Sequence, residues 1–294
     1  IRDRGSVAAG FPLLMLYSDD YALDGHDSIL VVYHGQRTRD FKLKLMHSPK
    51  HQLYTAAQIR SIESRAMQPI VRQGMGISGY TLMQRAGQAA FEQMLHRWPE
   101  SRAVSVICGK GNNAGDGYTV ARLAYQFGMR VQLIALNSPE QLQGDARIAF
   151  EDFVAAGGAV SPAGQAIEHS VVVDALLGTG FRFPLRDAYA DMIHRINETA
   201  AGVLALDLPS GVDPDTGAVS RRQGGALAVR ASMTVSFIGR KIGLYTGAGK
   251  AFVGDLRVAD LGIPDTSRSV PSETWLLTWQ HARLPAIPIQ AHKH

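Results

Sequence analysis

The chain has a single cysteine, Cys108, and that scarcity removes two classes of protein. It can form no intramolecular disulfide framework and no metal cluster built of thiolates alone. Such a composition suits a reducing compartment, so a cytoplasmic location is expected. Long apolar runs are missing as well. The stretch Phe11 to Tyr17 falls far short of the roughly 20 residues that span a bilayer, and Asp19-Asp20 follow close behind it. Neither a secretory signal nor a membrane partner is expected. The ten histidines are scattered, with no pair at metal-ligand spacing, and no zinc site is expected. Charge of one sign is scarce too: 30 Lys and Arg stand against 26 Asp and Glu, a net of +4. Part of the excess lies in Arg37 to Lys44 and in the closing His-Lys-His, which read as solvated segments, so no nucleic-acid partner is expected. A mildly basic chain also suits a phosphate-bearing substrate.

What is present is an ordinary globular composition, 46% apolar over 294 residues, enough for a sizeable core. Residues 1–45 show no sustained period beyond one candidate strand, Ile29 to Tyr33. They are expected to form an extension without a defined fold, with Met46 as the natural start. Regular patterning begins at residue 54. Thr55 can cap a helix carrying Ile59, Ile62 and Ala66, and Ser78 a second with Leu82, Ala86, Ala90 and Met94 on one face. The apolar run Ala103 to Cys108 reads as a buried strand. A Gly-rich turn follows, then a helix placing Val120, Leu123, Ala124 and Phe127 on one side. Strands are expected at Val131–Leu136, Ser170–Leu176, Gly202–Leu206, Met233–Ile238 and Leu256–Val258, with helices at Ala146–Ala156 and Ala188–Ile196. Strands alternating with helices imply βαβ units and a mostly parallel sheet covered on both faces, an α/β fold. The Ser-, Pro- and Thr-rich stretch from Asp265 to Glu273 reads as a linker.

Ligands of an open parallel sheet bind beyond the carboxyl ends of its strands. After the first strand of the sheet comes Gly109-Lys-Gly-Asn-Asn-Ala-Gly-Asp-Gly117, glycines for close backbone approach plus a helix N-terminus that can face an anion. It is no Walker A loop, lacking the closing Gly-Lys-Ser/Thr. The end of the next strand, Leu136-Asn137-Ser138, lacks the acidic residue that grips a ribose in ordinary NAD-dependent dehydrogenases. The strand at 170–176 leads through Asp174 into Gly178-Thr179-Gly180, with Arg182 as a candidate phosphate partner. The strand at 202–206 leads into Asp207-Leu-Pro-Ser-Gly211, where a partly desolvated carboxylate at Asp207 suits acid–base work and Ser210 offers an oxygen to a cation. Asp213 to Gly217 reads as a surface turn. Lys241 is left open between facing the substrate and solvating a loop, and Cys108 reads as buried and inert.

Four segments in this order and spacing resemble the NAD(P)H-hydrate epimerase family, also called the YjeF N-terminal domain: Leu82 to Gly87, Gly109 to Gly117, Val173 to Gly180 and Leu206 to Gly211. The resemblance covers about residues 50–264, within a domain taken as 46–264. It implies a Rossmann-like three-layer sandwich around a mostly parallel sheet, a bound potassium ion, and interconversion of the R and S forms of NADHX and NADPHX, nicotinamides hydrated at ring carbon 6. It further implies substrate loops at Asn112, Asn113, Ala114, Gly115 and Asp116 and at Gly178, Thr179, Gly180, Phe181, Arg182, Phe183 and Pro184, with Asp207 on the substrate. Potassium would lie on Asn113, Asp174 and Ser210. Ala114 stands where many members have Gly. Asp207 is the candidate acid–base group. The segment 265–294 is expected to be a linker and the truncated start of a dehydratase domain, on the strength of Arg283 to Ala286 and Ala291 to Lys293. Expected partners are the substrate, a second copy in a homodimer, and an ADP- or ATP-dependent hydrate dehydratase. The rival is a non-catalytic binding module of the same fold, such as the resembling domain of RNA-decapping scaffolds. The presence of Asn113, Asp174, Asp207 and Ser210 favours the enzyme.

Overall fold

The computed structural model describes residues 28–31, 52–69, 74–199, 202–222, 224–263, 270, 272 and 274–278. The basic segment at 37–44, Met46 and the tail motifs from residue 283 onward lie outside them, as does most of the expected linker.

The chain divides into two compact units, Ile1–Leu53 with Ser272–His294, and Tyr54–Pro271. In the first unit, β1 (Ser28–Val31) overlaps the strand expected at Ile29–Tyr33, and β2 (Gln52–Tyr54) begins.

The second unit opens with α1 (Ala56–Met67). Thr55 starts it through a reciprocal capping box: its hydroxyl accepts from Gln58 N at 3.2 Å, and Gln58 Oε1 accepts from Thr55 N at 2.8 Å. Ser78 caps α2 (Gly79–Arg97) by accepting from Thr81 N at 3.0 Å. Then follow β3 (Ala103–Cys108), α3 (Asn112–Gln126), β4 (Arg130–Ala135), α4 (Gly144–Ala155), β5 (Val160–Pro162), β6 (Val171–Ala175), α5 (Asp187–Glu198) and β7 (Gly202–Leu206). The hairpin β8 (Ser220–Arg222) and β9 (Gly225–Leu227) precedes β10 (Met233–Phe237), β11 (Arg240–Lys241) and β12 (Asp255–Ala259). The last strand, β13 (Thr274–Thr278), belongs to the first unit, where it pairs antiparallel with β1 and with β2.

Seven strands form one sheet in the order β12-β10-β7-β6-β3-β4-β5, and every pairing in it is parallel. Successive residues of a strand point to opposite faces, and the core divides accordingly. Val104, Val106 and Cys108 of β3 and Val171, Val173 and Ala175 of β6 join one cluster with α1, α2, α3 and α4. Ile107, Ile134 and Val172 join the other with Tyr189, Met192, Ile193 and Ile196 of α5. Two clusters on opposite faces of one sheet make three layers, as expected for a Rossmann-like fold. Phe127 departs from the expected helical face. It sits at the C-cap of α3, 62% exposed, edge to face with Phe91 at 5.7 Å.

The chain runs outward from β3 through β4 to β5, then crosses back to β6 and runs outward the other way. Strand order thus reverses between β3 and β6, where connections leave on opposite sides and a crevice opens at the carboxyl ends. Helix α3 lies very close to the sheet there. A Cβ added at Gly117 would stand 2.5 Å from Ala175 Cβ and 2.9 Å from Cys108 Sγ. Gly117→Ala is therefore expected to destabilise the fold by about 1–3 kcal/mol, the range for overpacking a tight core. Urea melts read this as a lower midpoint at unchanged slope, and an unchanged midpoint would mean that α3 is seated less closely.

Candidate active site

The crevice is a cleft of about 500 Å³ at the carboxyl ends of β3, β6 and β7, walled by α1 and α2. Helix α3 begins inside the Gly-rich motif, at Asn112, and its N-cap Gly111 supplies no side-chain cap. The first-turn amides are left without a capping side chain beside the cleft, a setting that favours an anion. Asn112, Asn113 and Asp116 line the cleft. Ala114 is fully buried. A Cβ on Gly115 would meet Met83 Sδ at 2.5 Å and Ala146 Cα at 2.9 Å, so this position faces α2 and α4. Both residues, expected among the substrate contacts, pack the helix into place and are not among those that line the cleft. The helical period turns every third or fourth residue of the motif toward the cleft and the rest toward the core.

The second loop divides as well. Gly178, Thr179, Gly180 and Phe181 line the cleft. Arg182 is exposed and folds back on its own loop, its Nη1 donating to Phe181 O at 2.7 Å and Thr179 O at 3.2 Å. Phe183 is 40% exposed, packs on Phe181 edge to face at 5.0 Å, and precedes Pro184 through a cis bond.

Asp174 and Ser210 are hydrogen-bonded to each other, and Asn113 is linked to Ser210 through Leu177. Asp174 is fully buried; its Oδ1 accepts from Ser210 Oγ at 2.7 Å and Leu176 N at 3.2 Å, its Oδ2 from Ser210 N at 2.8 Å. Burial pushes its carboxyl up to about 6, against the pull of those hydrogen bonds. Leu177 N donates to Ser210 Oγ at 2.9 Å, and Asn113 Nδ2 donates to Leu177 O at 3.0 Å. Asn113 Oδ1 is buried with no hydrogen-bond partner among the described residues. This collection of oxygens, one of them an unpartnered amide oxygen, is suited to a cation.

Asp207 lines the cleft directly after β7 and has a φ of 68°. Leu208 N donates to Leu206 O across it at 2.8 Å, a γ-turn in the left-handed region. The adjacent β10 ends the same way: Ile238 has a φ of 69°, and Gly239 N donates to Phe237 O at 2.8 Å. A left-handed conformation costs a non-glycine residue about 1–2 kcal/mol, and strain of this kind concentrates at functional sites. Asp207 Oδ1 accepts from Phe237 N at 3.1 Å and from Lys241 Nζ at 2.5 Å. Lys241 is neither solvated nor turned to the substrate; it is completely buried.

One wall of the cleft carried no readable motif. Arg60, Glu63 and Met67 come from α1, whose amphipathic pattern explains its fold without them. Burial pushes the Glu63 carboxyl up, as does the nearby charge of Asp207. Burial also raises Asp116 well above the usual carboxylate range, again helped by Asp207 and by Glu63. Leu82, Met83 and Ala86 of the Leu82–Gly87 motif wall the cleft from α2, and a Cβ at Gly87 would meet Thr119 Cγ2 at 2.4 Å, so that motif seats α2 on α3. Asp213 to Gly217 is the expected turn and also anchors the start of α1, where Asp215 Oδ1 accepts from Ala56 N at 2.6 Å. Cys108 is buried, and burial raises its thiol far out of the reactive range.

Comparison with known proteins agrees with this architecture. Residues 79–243 match the family described as YjeF-related protein N-terminus. The chain is 41% identical over 242 residues to the bifunctional NAD(P)H-hydrate repair enzyme of Coxiella burnetii, covering 81% of this chain and 47% of that protein. It is 36% identical over 230 residues to the NAD(P)H-hydrate epimerase of Rhodopirellula baltica, covering 76% and 90%, and 35% identical over 215 residues to that of Limosilactobacillus fermentum, covering 71% and 96%. The chain thus spans about half the length of the bifunctional relative and most of each single-function one. The crystal structure of the yeast protein YNL200c superposes with a TM-score of 0.56 at 20% identity, over 65% of this chain and 82% of that one, a likeness of fold. With its motifs gathered at one strand-order reversal and its single-function relatives matched almost end to end, the chain belongs to the YjeF-related N-terminal domain family.

Proposed function

We propose that the chain is an isomerase that interconverts the R and S forms of NADHX and NADPHX, as an NAD(P)H-hydrate epimerase in cofactor repair. The observation that carries this reading is Asp207, ion-paired and held in a strained turn at the mouth of a cleft beside an uncapped helix N-terminus. Carbon 6 of the hydrated ring loses its configuration when either its bond to the hydroxyl or its bond to the ring nitrogen breaks. Both routes move a proton at the hydroxyl oxygen, and Asp207 is the group that takes and returns it. Asp116 and Glu63, whose carboxyls burial pushes up, line the same cleft. The α3 N-terminus and the amides of Gly178 to Gly180 face the substrate's phosphates. Absence of the acid–base carboxylate would favour a binding module instead; here Asp207 stands in the cleft wall.

Potassium is the cofactor in this proposal, held by Asn113, Asp174 and Ser210. Support comes from the donor set: a buried carboxylate, a hydroxyl, and the buried, partnerless Oδ1 of Asn113. When bound, the ion would screen negative charge and fix the loops that follow β3, β6 and β7. The setting we propose is cytoplasmic, with a homodimer as the assembly and an ADP- or ATP-dependent dehydratase consuming the S form; the bifunctional names of several relatives support that coupling. No helix among the described residues is long and apolar enough to cross a membrane.

Chromatography of R- and S-NADHX tests the activity directly: the purified chain should speed their equilibration. Asp207→Asn should keep the fold and slow that reaction by at least about 100-fold, the low end for a lost acid–base group. A near-normal rate in this variant would remove Asp207 from the mechanism.

The ion has its own readout. Wild type should melt at a higher temperature in potassium than in an equal concentration of a bulky organic cation, because a ligand stabilises the state it binds. Asp174→Ala should abolish that difference. A wild-type melt indifferent to potassium would refute the ion assignment and leave the activity to be judged separately.

A further inference from the structure

We propose that Lys241 is a positioning residue: a buried clamp that joins the two γ-turns ending β7 and β10 and presents Asp207 to the substrate through its second oxygen. This inference rests on the epimerase reading above and deepens it. The Lys241 ammonium has three N–H groups, and three protein acceptors take them. Asp207 Oδ1 lies at 2.5 Å, Ser236 Oγ at 3.0 Å and Phe237 O at 3.1 Å. Ser236 Oγ spends its own proton on Gly239 O at 2.9 Å, so its lone pair is what meets the lysine. No donor remains for a ligand, and the side chain has no exposed surface from which to reach one.

The geometry that results is specific. Asp207 N donates to Val235 O at 2.8 Å, and Asp207 Oδ1 accepts from Phe237 N, so the residue is stitched to β10 at both its backbone and its side chain. Both contacts to the carboxylate fall on Oδ1. The same lysine holds Phe237 O, the carbonyl that closes the neighbouring γ-turn. One ammonium thus ties together the two turns centred on the left-handed residues Asp207 and Ile238, just past adjacent strands. A lysine in the bulk of a core would need a charge partner and no more; this one spans the two turns that aim the acid–base group. Ion-pairing one oxygen while leaving the other toward the cleft fixes the direction from which a substrate hydroxyl is met, and small errors in such aim are costly to rate.

The test separates aim from simple stability. Lys241→Met, Asp207→Asn and the double variant are compared with wild type in R/S-NADHX equilibration, with the spontaneous rate subtracted. Lys241→Met should lower kcat by about 100-fold and move KM by less than about threefold, since substrate is still bound. In the Asp207→Asn background the same change should add nothing, because the lysine acts only through that carboxylate. If Lys241→Met does not fold, Lys241→Gln, which keeps two N–H donors without the charge, replaces it. A near-wild-type kcat, or a double variant slowed by the product of the single effects, would overturn the proposal while leaving the epimerase reading in place. A wild type with no activity would sink both.

Discussion

Asp174 is the constraint on which the rest of the site depends. It is a carboxylate with no exposed surface, placed one residue before the end of β6, and it cannot stay there without hydrogen bonds. It finds them in Ser210 N, Ser210 Oγ and Leu176 N, two of them across the gap to the loop after β7. Ser210 Oγ then accepts from Leu177 N, and Leu177 O accepts from Asn113 on α3. One buried charge therefore fixes the loops after β6 and β7 and the first turn of α3 in relation to one another. These are the three segments that line the strand-order reversal, so the floor of the cleft is a consequence of satisfying Asp174.

Asp207 is held by a different means. Its loop is tied to that floor through Ser210, but its own aim comes from β10. The two γ-turns are costly in conformation, and their backbone strain is offset by the hydrogen bonds that join them. The parallel register makes this possible: Val235 lies beside Leu206, so the residues just past each strand end are neighbours. A shift of one residue in that pairing would turn Asp207 to the opposite face of the sheet.

The strands of the central sheet were legible because each is short, apolar and bounded by turn residues. Ala103–Cys108 and Gly202–Leu206 have the ends expected of them, and the others differ by a residue or two. What escaped were elements whose residues carry no pattern. Ser220–Arg222 and Gly225–Leu227 form a hairpin of two three-residue strands, and Val160–Pro162 is an edge strand of three residues. At the site, Asp174, Asp207 and the Gly-rich motif were readable from their place after strands. Within that motif, Ala114 and Gly115 were not separable from their neighbours until the start of α3 was located. Lys241 was ambiguous because a lysine just past a Gly-Arg pair reads as a loop residue; its burial follows only from the fold around Asp207. Glu63 shares the buried stripe of α1 with Ile59, Ile62 and Ala66, and an acidic residue in that stripe was the signal that could have marked it; the apolar residues alone sufficed to explain the helix.

The charges of the cleft bear on how a substrate would lie in it. Glu63 of α1, Asp116 of α3 and Asp207 after β7 all line the cleft, with the buried Lys241 ammonium on Asp207. A substrate carrying phosphates would be repelled by those carboxylates. The α3 N-terminus and the glycines of 178–180 also line the cleft, where backbone amides can meet an anion with Lys110 beside them. Arg182 is committed to carbonyls of its own loop and contributes nothing there as it stands. On the proposed function, the phosphates therefore go to the backbone amides and the uncharged hydrated ring is left for the carboxylates. Burial is the larger reason that the Asp116 and Glu63 carboxyls are pushed up, and the charge of Asp207 adds to it; that same charge repels a phosphate, so one carboxylate bears both on the orientation of the substrate and on the acids beside it.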